Sequence, residues 1–188
     1  MKNKLTNLFL MLSILASLLA ASPATSVRAA SFTVNTLTDE FDGSCADEDC
    51  SLRDAIVIAS ANDTITFGVN GTINLSLGEF VIDKNLTITG PGKTLLTIDA
   101  QNNSRLFTIQ TGLLVNISGM TLTKGKETGS SGGAIINEGI LILNDMAFTQ
   151  NKALTNNPAI TMSGGAIFSY ENSSLSVTNS NFTGNIVN

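Results

Sequence analysis

A two-residue hydrophobic period from Ile65 onward, two motifs that recur in one register, and a single short stretch of helical period together predict an all-β chain. The architecture expected is a right-handed parallel β-helix, a solenoid of three short strands per coil with a short N-terminal capping helix. The strands are short, rich in Ile, Leu, Val, Phe and Thr, and separated by Gly and Asn. Gly132-Gly133-Ala134-Ile135 returns as Gly164-Gly165-Ala166-Ile167. Each copy precedes a short apolar strand and then an F-x-x-N motif, Phe148 to Asn151 and Phe182 to Asn185.

The first 29 residues follow the plan of an export leader: Lys2 and Lys4, an apolar run from Leu8 to Ala21, then small and polar residues. That run is shorter than the about 20 apolar residues of a bilayer span. Cleavage is therefore expected after Ala29, where Val27 and Ala29 suit a signal peptidase, with Ala24 as second choice and an uncut membrane anchor as the competing reading. No second hydrophobic segment follows, so no membrane span is expected in the mature chain.

Ser31 to Asn35 alternates apolar with polar and reads as a first strand, followed by an acidic loop from Asp39 to Asp49. Cys45 and Cys50 lie close together; in an exported chain oxidation is the default, so a disulfide is expected. The competing metal pair lacks the His or further Cys needed to complete a zinc tetrahedron. At Ser51-Leu52-Arg53-Asp54-Ala55-Ile56 a helix begins: Ser51 caps, Asp54 follows three residues on as in a capping box, and Leu52, Ala55, Ile56 and Ala59 share a face. It should run to about Asn62, where Asp63 and Thr64 switch the chain to strand. Residues 30–63 thus form a cap and residues 64–188 the repeats.

Within the repeats, Ile65 with Phe67, Ile73 with Leu75, and Phe80 with Ile82 make one coil; Leu86 with Ile88, Leu96 with Ile98, and Phe107 with Ile109 make the next. Later coils share a stricter register, with Val115, Ile117 and Leu122 spaced like Leu141, Leu143 and Phe148 and like Leu175, Val177 and Phe182. Ile109 precedes Val115 by the same interval as Ile135 precedes Leu141, and the longer step from Ile167 to Leu175 is assigned to an insertion at Glu171 to Ser174. Each coil must return to stack about 4.8 Å above the last, so that inward columns bury what no coil buries alone. Gly132, Gly133, Gly164 and Gly165 suit tight turns and Asn151 and Asn185 could stack their amides at equivalent corners, with plain turn chemistry as the simpler account. A β-sandwich also has short strands and turns, but does not predict these motifs recurring in register.

Cys50-Ser51-Leu52-Arg53-Asp54-Ala55, preceded by Thr33-Val34-Asn35-Thr36 and Cys45, resembles the CSLREA domain that opens many large exported bacterial repeat proteins, with Asp54 where that motif has Glu. The paired GGAI and F-x-x-N motifs are similar to repeats of the polymorphic outer membrane proteins and resemble pectin-lyase-like β-helices. The resemblance implies a secreted or surface solenoid whose helix caps the first coil, and it implies no defined reaction. Family members are far longer, and this sequence stops part-way through a coil, so a continuing reading frame or a docking partner is expected at the open C-terminal end.

Loss of the leader leaves seven basic and fifteen acidic residues, a formal charge of −8, which argues against a nucleic-acid partner. The chain has no His and no Trp, and Tyr170 is its single tyrosine, which removes most general bases and sugar-stacking platforms. The expected function is non-enzymatic: a secreted or cell-surface β-helix module, adhesin-like or an envelope scaffold. An unidentified surface ligand would meet polar loops at Lys124 to Ser131 and Lys152 to Thr161 that emerge on one side. The alternative is a pectin-lyase-like polysaccharide-degrading enzyme or its inactive carbohydrate-binding relative. The coil acids Asp83, Asp99, Glu127, Glu138, Asp145 and Glu171 are scattered singly, and only Asp99 with Arg105 is suggestive, Arg105 being expected to snorkel or pair at the surface. No cofactor is expected. A Ca²⁺ site at Asp39, Asp42, Asp47 and Asp49 lacks EF-hand spacing, so solvated acids around a disulfide are favoured there.

Overall fold

The computed structural model describes residues 29–46, 49–157, 159 and 161–188, so the expected leader, apart from Ala29, lies outside the described residues, as do Asp47 and Glu48 of the acidic loop. Among the described residues the regular structure is sixteen strands and one short helix, and every strand pairing is parallel. The all-β expectation therefore holds.

Strand β1 (Ser31–Val34) pairs in register with β2 (Asp63–Phe67), and the helix α1 (Leu52–Ile58) lies between them in sequence. Next come β3 (Gly71–Asn74) and β4 (Phe80–Ile82), then β5 (Leu86–Thr89), β6 (Leu96–Asp99) and β7 (Phe107–Ile109). These three lie on β2, β3 and β4, with Phe80 on Phe107, but the first two pairs are offset by two residues from the order of their apolar positions: Ile65 lies on Ile88 and Ile73 on Ile98, so that Asp63 and Gly71 stand on Leu86 and Leu96. The longer β8 (Leu114–Thr123) and β11 (Ile140–Thr149) each span what β5 and β6 cover as two strands. They turn the corner at Gly119 and Asp145, both at positive φ and both skipped by the pairing ladder.

Strands β10 (Ile135–Asn137) and β13 (Ile167–Ser169) extend the sheet of β4 and β7, giving the order β13-β10-β7-β4. β14 (Ser174–Thr178) and β15 (Asn181–Thr183) both lie on β11. A third sheet holds β9 (Lys126–Thr128), β12 (Lys152–Leu154) and β16 (Ile186–Val187). Paired strands thus lie from 23 residues (Ile65 to Ile88) to 34 residues (Leu141 to Leu175) apart along the chain.

The core follows from the alternation. Along β11, Leu141, Leu143, Met146 and Phe148 are wholly buried while Ile140 and Ile142 face out. They lie on Val115, Ile117, Met120 and Leu122 of β8, which are equally buried. Each such side chain contributes about 1.5–3 kcal/mol by leaving water.

Three further expectations need correction. The helix ends at Ile58, four residues early, because Ala59 swings to an extended conformation (ψ 144) and the Asp63 carboxylate takes the Ser60 amide at 2.7 Å into a turn that places Asn62 at positive φ. Ile135 aligns with Phe107, and Ile109 aligns with Asn137. The equal intervals misled because Asn137, wholly buried, shortens the following turn: its Oδ1 accepts the Gly139 amide at 3.1 Å and its Nδ2 donates to the Ser174 carbonyl at 3.0 Å. Finally, the stretches beginning at Lys124 and Lys152 are not simply loops. Their first residues form β9 and β12, which pair as Lys126 on Lys152, because two parallel segments one layer apart satisfy each other's main chains.

Candidate functional site: the polar side around Arg105

The N-terminal cap is organised by buried carboxylates. Cys45 and Cys50 form a disulfide, with Cys50 packed in the core. Ser51 Oγ accepts the Asp54 amide at 3.0 Å, and Asp54, fully buried, returns its carboxylate to Ser51 Oγ at 2.6 Å and takes the Gly43 amide at 2.8 Å. Asp54 thus holds the preceding loop. Leu52 and Ala55 face the core, whereas Arg53 crosses to Asp39 at 2.8 Å, to the Gly78 carbonyl at 2.7 Å, and over the Phe80 ring. Reducing the disulfide, which closes a short loop, is expected to cost about 2 kcal/mol. A thermal melt with and without reductant checks this: a drop of some degrees with the fold retained is the expected result.

Asp39 also takes the Ser76 and Leu77 amides, at 2.6 and 2.9 Å. Burial pushes its carboxyl up, but the Arg53 hydrogen bond and these amides outweigh burial and hold it below the ordinary aspartate value. A depressed native pKa gives stability that is present above the unfolded value, near 3.8, and lost as pH falls through the native one. The melting temperature should therefore hold down to about pH 4–5 and fall below it, and Asp39→Asn should flatten that acid limb; an unchanged limb would assign it elsewhere. Of the acids in this loop, Asp39 is held by Arg53, and Asp42 Oδ1 accepts the Ser44 amide at 2.9 Å. Among the described residues no three His, Cys, Asp or Glu side chains group as a metal site.

The two repeat motifs touch each other. Gly132 and Gly164 take positive φ, and a Cβ on Gly133 would meet the Lys152 main-chain nitrogen and oxygen at 2.5 Å, as one on Gly165 would meet the Ile186 oxygen at 2.5 Å. Lys152 and Ile186 directly follow Asn151 and Asn185, so the glycine of one motif admits the backbone of the other. Ala134 and Ile135 lie fully buried beside Ala166. Asn151, also fully buried, accepts the Gly125 amide through Oδ1 at 2.7 Å and donates through Nδ2 to the Leu122 carbonyl at 3.1 Å and to Asn185 Oδ1 at 2.9 Å. Asn185 repeats the pattern on the Asn151 amide (3.0 Å) and the Phe148 carbonyl (2.9 Å), and the Phe148 and Phe182 rings stack at 4.7 Å.

Beside this ladder lies a shallow polar groove lined by Asn102, Asn103, Ser104, Lys126 and Thr128, with Arg105 on its floor. Arg105 does not pair with Asp99 and does not snorkel. It is 7% exposed, donates to the Gly132 carbonyl at 2.8 Å and the Ser131 carbonyl at 3.1 Å, and pairs with Glu79 at 3.1 Å and Glu127 at 3.3 Å. Asp99 pairs with Lys124 at 2.6 Å instead. The reason is directional: Arg105 precedes β7 and points along the stacking axis, towards glutamates one layer before and one layer after. Glu79, which also accepts the Thr108 hydroxyl at 3.0 Å, was missed from sequence; its signal is its place just before β4, the strand on which β7 lies.

Lys126 and Lys152 lie in register on this side, and neither has a carboxylate within ion-pair reach among the described residues. The arrangement offers amides, hydroxyls and two ammonium groups to a polar ligand, while one guanidinium holds both glutamates. Among the described residues no helix is long and apolar enough to cross a membrane. No family model, curated protein or solved structure matches this chain.

Proposed function

We propose that the chain is an exported, non-enzymatic right-handed parallel β-helix module of a cell surface, adhesin-like or part of an envelope scaffold, with α1 capping its first coil. It would belong with the CSLREA-opening repeat proteins that its sequence resembles. The observation that carries this reading is that the repeated motifs spend their chemistry on stacking: Gly133 admits Lys152, and Asn151 serves Gly125, Leu122 and Asn185. The last described layer supports it too. Leu175, Val177 and Phe182 continue the columns of buried Leu141, Leu143 and Phe148 yet are 37–50% exposed, a face that suits a further coil of the same pattern.

The competing reading, a polysaccharide-degrading enzyme or its inactive binding relative, rests on the groove at Glu79, Glu127 and Lys126. Hydrolysis needs one carboxyl to give a proton and one to act as base or nucleophile. Both glutamates here are tied to Arg105, which favours their structural use. The test is to secrete the full chain from a bacterial host, recover it, and incubate it with polygalacturonate and neutral polysaccharides. No new reducing ends or unsaturated products, together with recovery outside the cytoplasm, is the expected outcome; turnover abolished by Glu127→Gln would replace this reading with the enzymatic one.

A further inference from the structure

Asp63 is a buried acid whose carboxylate is held by main-chain amides. Its residue is 4% exposed, and its two oxygens take the Ala30 nitrogen at 2.6 Å and the Ser60 nitrogen at 2.7 Å. Two other carboxylates at this end face cations, Asp39 with Arg53 and Asp83 with Lys84 at 3.2 Å, whereas Asp54, like Asp63, is held by main-chain amides, with the Ser51 hydroxyl as well. Among the described residues, the elements packed around Asp63 bring no spare charge. β1 and β5 carry none; on α1, Arg53 is held by Asp39 and Asp54 by Ser51 and the loop amides; Lys84 turns to the Ile56 carbonyl at 3.1 Å. A buried carboxylate without a cation is costly unless hydrogen bonds or a later charge compensate it.

Ala29 and Ala30 are both exposed, and the bond between them is the cleavage point that the leader predicts. Ala30 is also fixed: its carbonyl accepts the Thr64 amide at 2.9 Å, continuing the β1–β2 ladder to the very start of the expected mature chain. We propose that Asp63 is the receptor for the new N-terminus, so that removal of the leader turns the Ala30 amide into an α-ammonium already seated on a buried carboxylate. This rests on the export reading above. The step balances as a hydrolysis: an endoprotease of the exporting membrane adds one water across the Ala29–Ala30 bond, leaving a carboxylate on Ala29 and an amine on Ala30 that takes up a proton. Asp63 would then join three pieces, the new terminus, the turn after α1, and β2, by a charged contact in place of the amide hydrogen bond that Ala30 makes to it.

The experiment uses the full chain, secreted and recovered. Its N-terminal residue is read by mass, and the α-amine is acylated at pH 7 in the native state and again in urea. The expected result is an Ala30 terminus that acylates about tenfold more slowly when native, the factor that one unit of raised amine pKa produces, with Asp63→Asn abolishing most of the difference. An Ala30 terminus that acylates equally fast in both states overturns the pairing and leaves export standing. A chain cut elsewhere, or not cut, overturns the pairing together with its premise. The native-versus-urea comparison on the unaltered protein decides the matter even where Asp63→Asn does not fold.

Discussion

Gly133→Ala is expected to destabilise the protein by at least about 4 kcal/mol, among the largest effects that a single methyl group produces. The added carbon would overlap the Gly165 carbonyl and the Lys152 main chain, and neither is the movable end of a side chain. Relief requires parting β12 from the turn before β10, which strips Lys152 from the Gly125 carbonyl that it bonds at 2.7 Å. Gly129→Ala is the control. Gly129, unlike Gly133, has positive φ (88°) but open space around it, so its cost comes from backbone strain alone and should stay at about 1–2 kcal/mol. Urea titration of both variants checks the difference. Equal midpoints would mean that the close approach at Gly133 costs no more than the backbone strain at Gly129, and would overturn the packing argument.

Asn151→Ala should be nearly as severe. It removes no apolar volume to speak of, but it takes the side-chain acceptor from the buried Gly125 amide and the Nδ2 donor from the Leu122 carbonyl and Asn185 Oδ1. At about 1–3 kcal/mol for each buried group left unpaired, a loss of about 3 kcal/mol is expected, or about 6–12 °C in melting temperature for a chain of this size. Asn185→Ala, whose side chain is only half-buried and carries a single layer, should cost less than half of that. Equal losses would show that the two amides are not steps of one ladder.

The sequence announces those columns plainly because apolar alternation and a fixed return leave few ways to bury both faces of a layer. Leu141 on Val115 and Phe148 on Leu122 follow from spacing alone. Spacing fails where a polar residue replaces an apolar one inside. Asn137 occupies the column of Ile109, and a count of hydrophobic positions steps over it. The candidate groove was harder to read for a related reason. Arg105, Glu79 and Glu127 meet along the stacking axis, each about one return apart, so that no local motif contains two of them. Gly125 was invisible for the opposite reason. It stands where the next layers have Asn151 and Asn185, and only the packed structure shows that a side chain there would strike the Leu106 side chain and the Gly133 carbonyl.

The amide ladder has a direction. Asn151 completes the corner at Gly125, and Asn185 completes the corner at Asn151, so each of these two asparagines accepts a main-chain amide of the layer that was made before it. For a chain that emerges N-terminus first, from a ribosome or through a pore, each newly arrived layer locks its predecessor and presents a fresh, unfinished edge to whatever follows. Such a structure behaves as a ratchet. Its growing tip is always the loosest part, its older portion cannot retreat without breaking a finished corner, and the stacking itself can pull the chain forward.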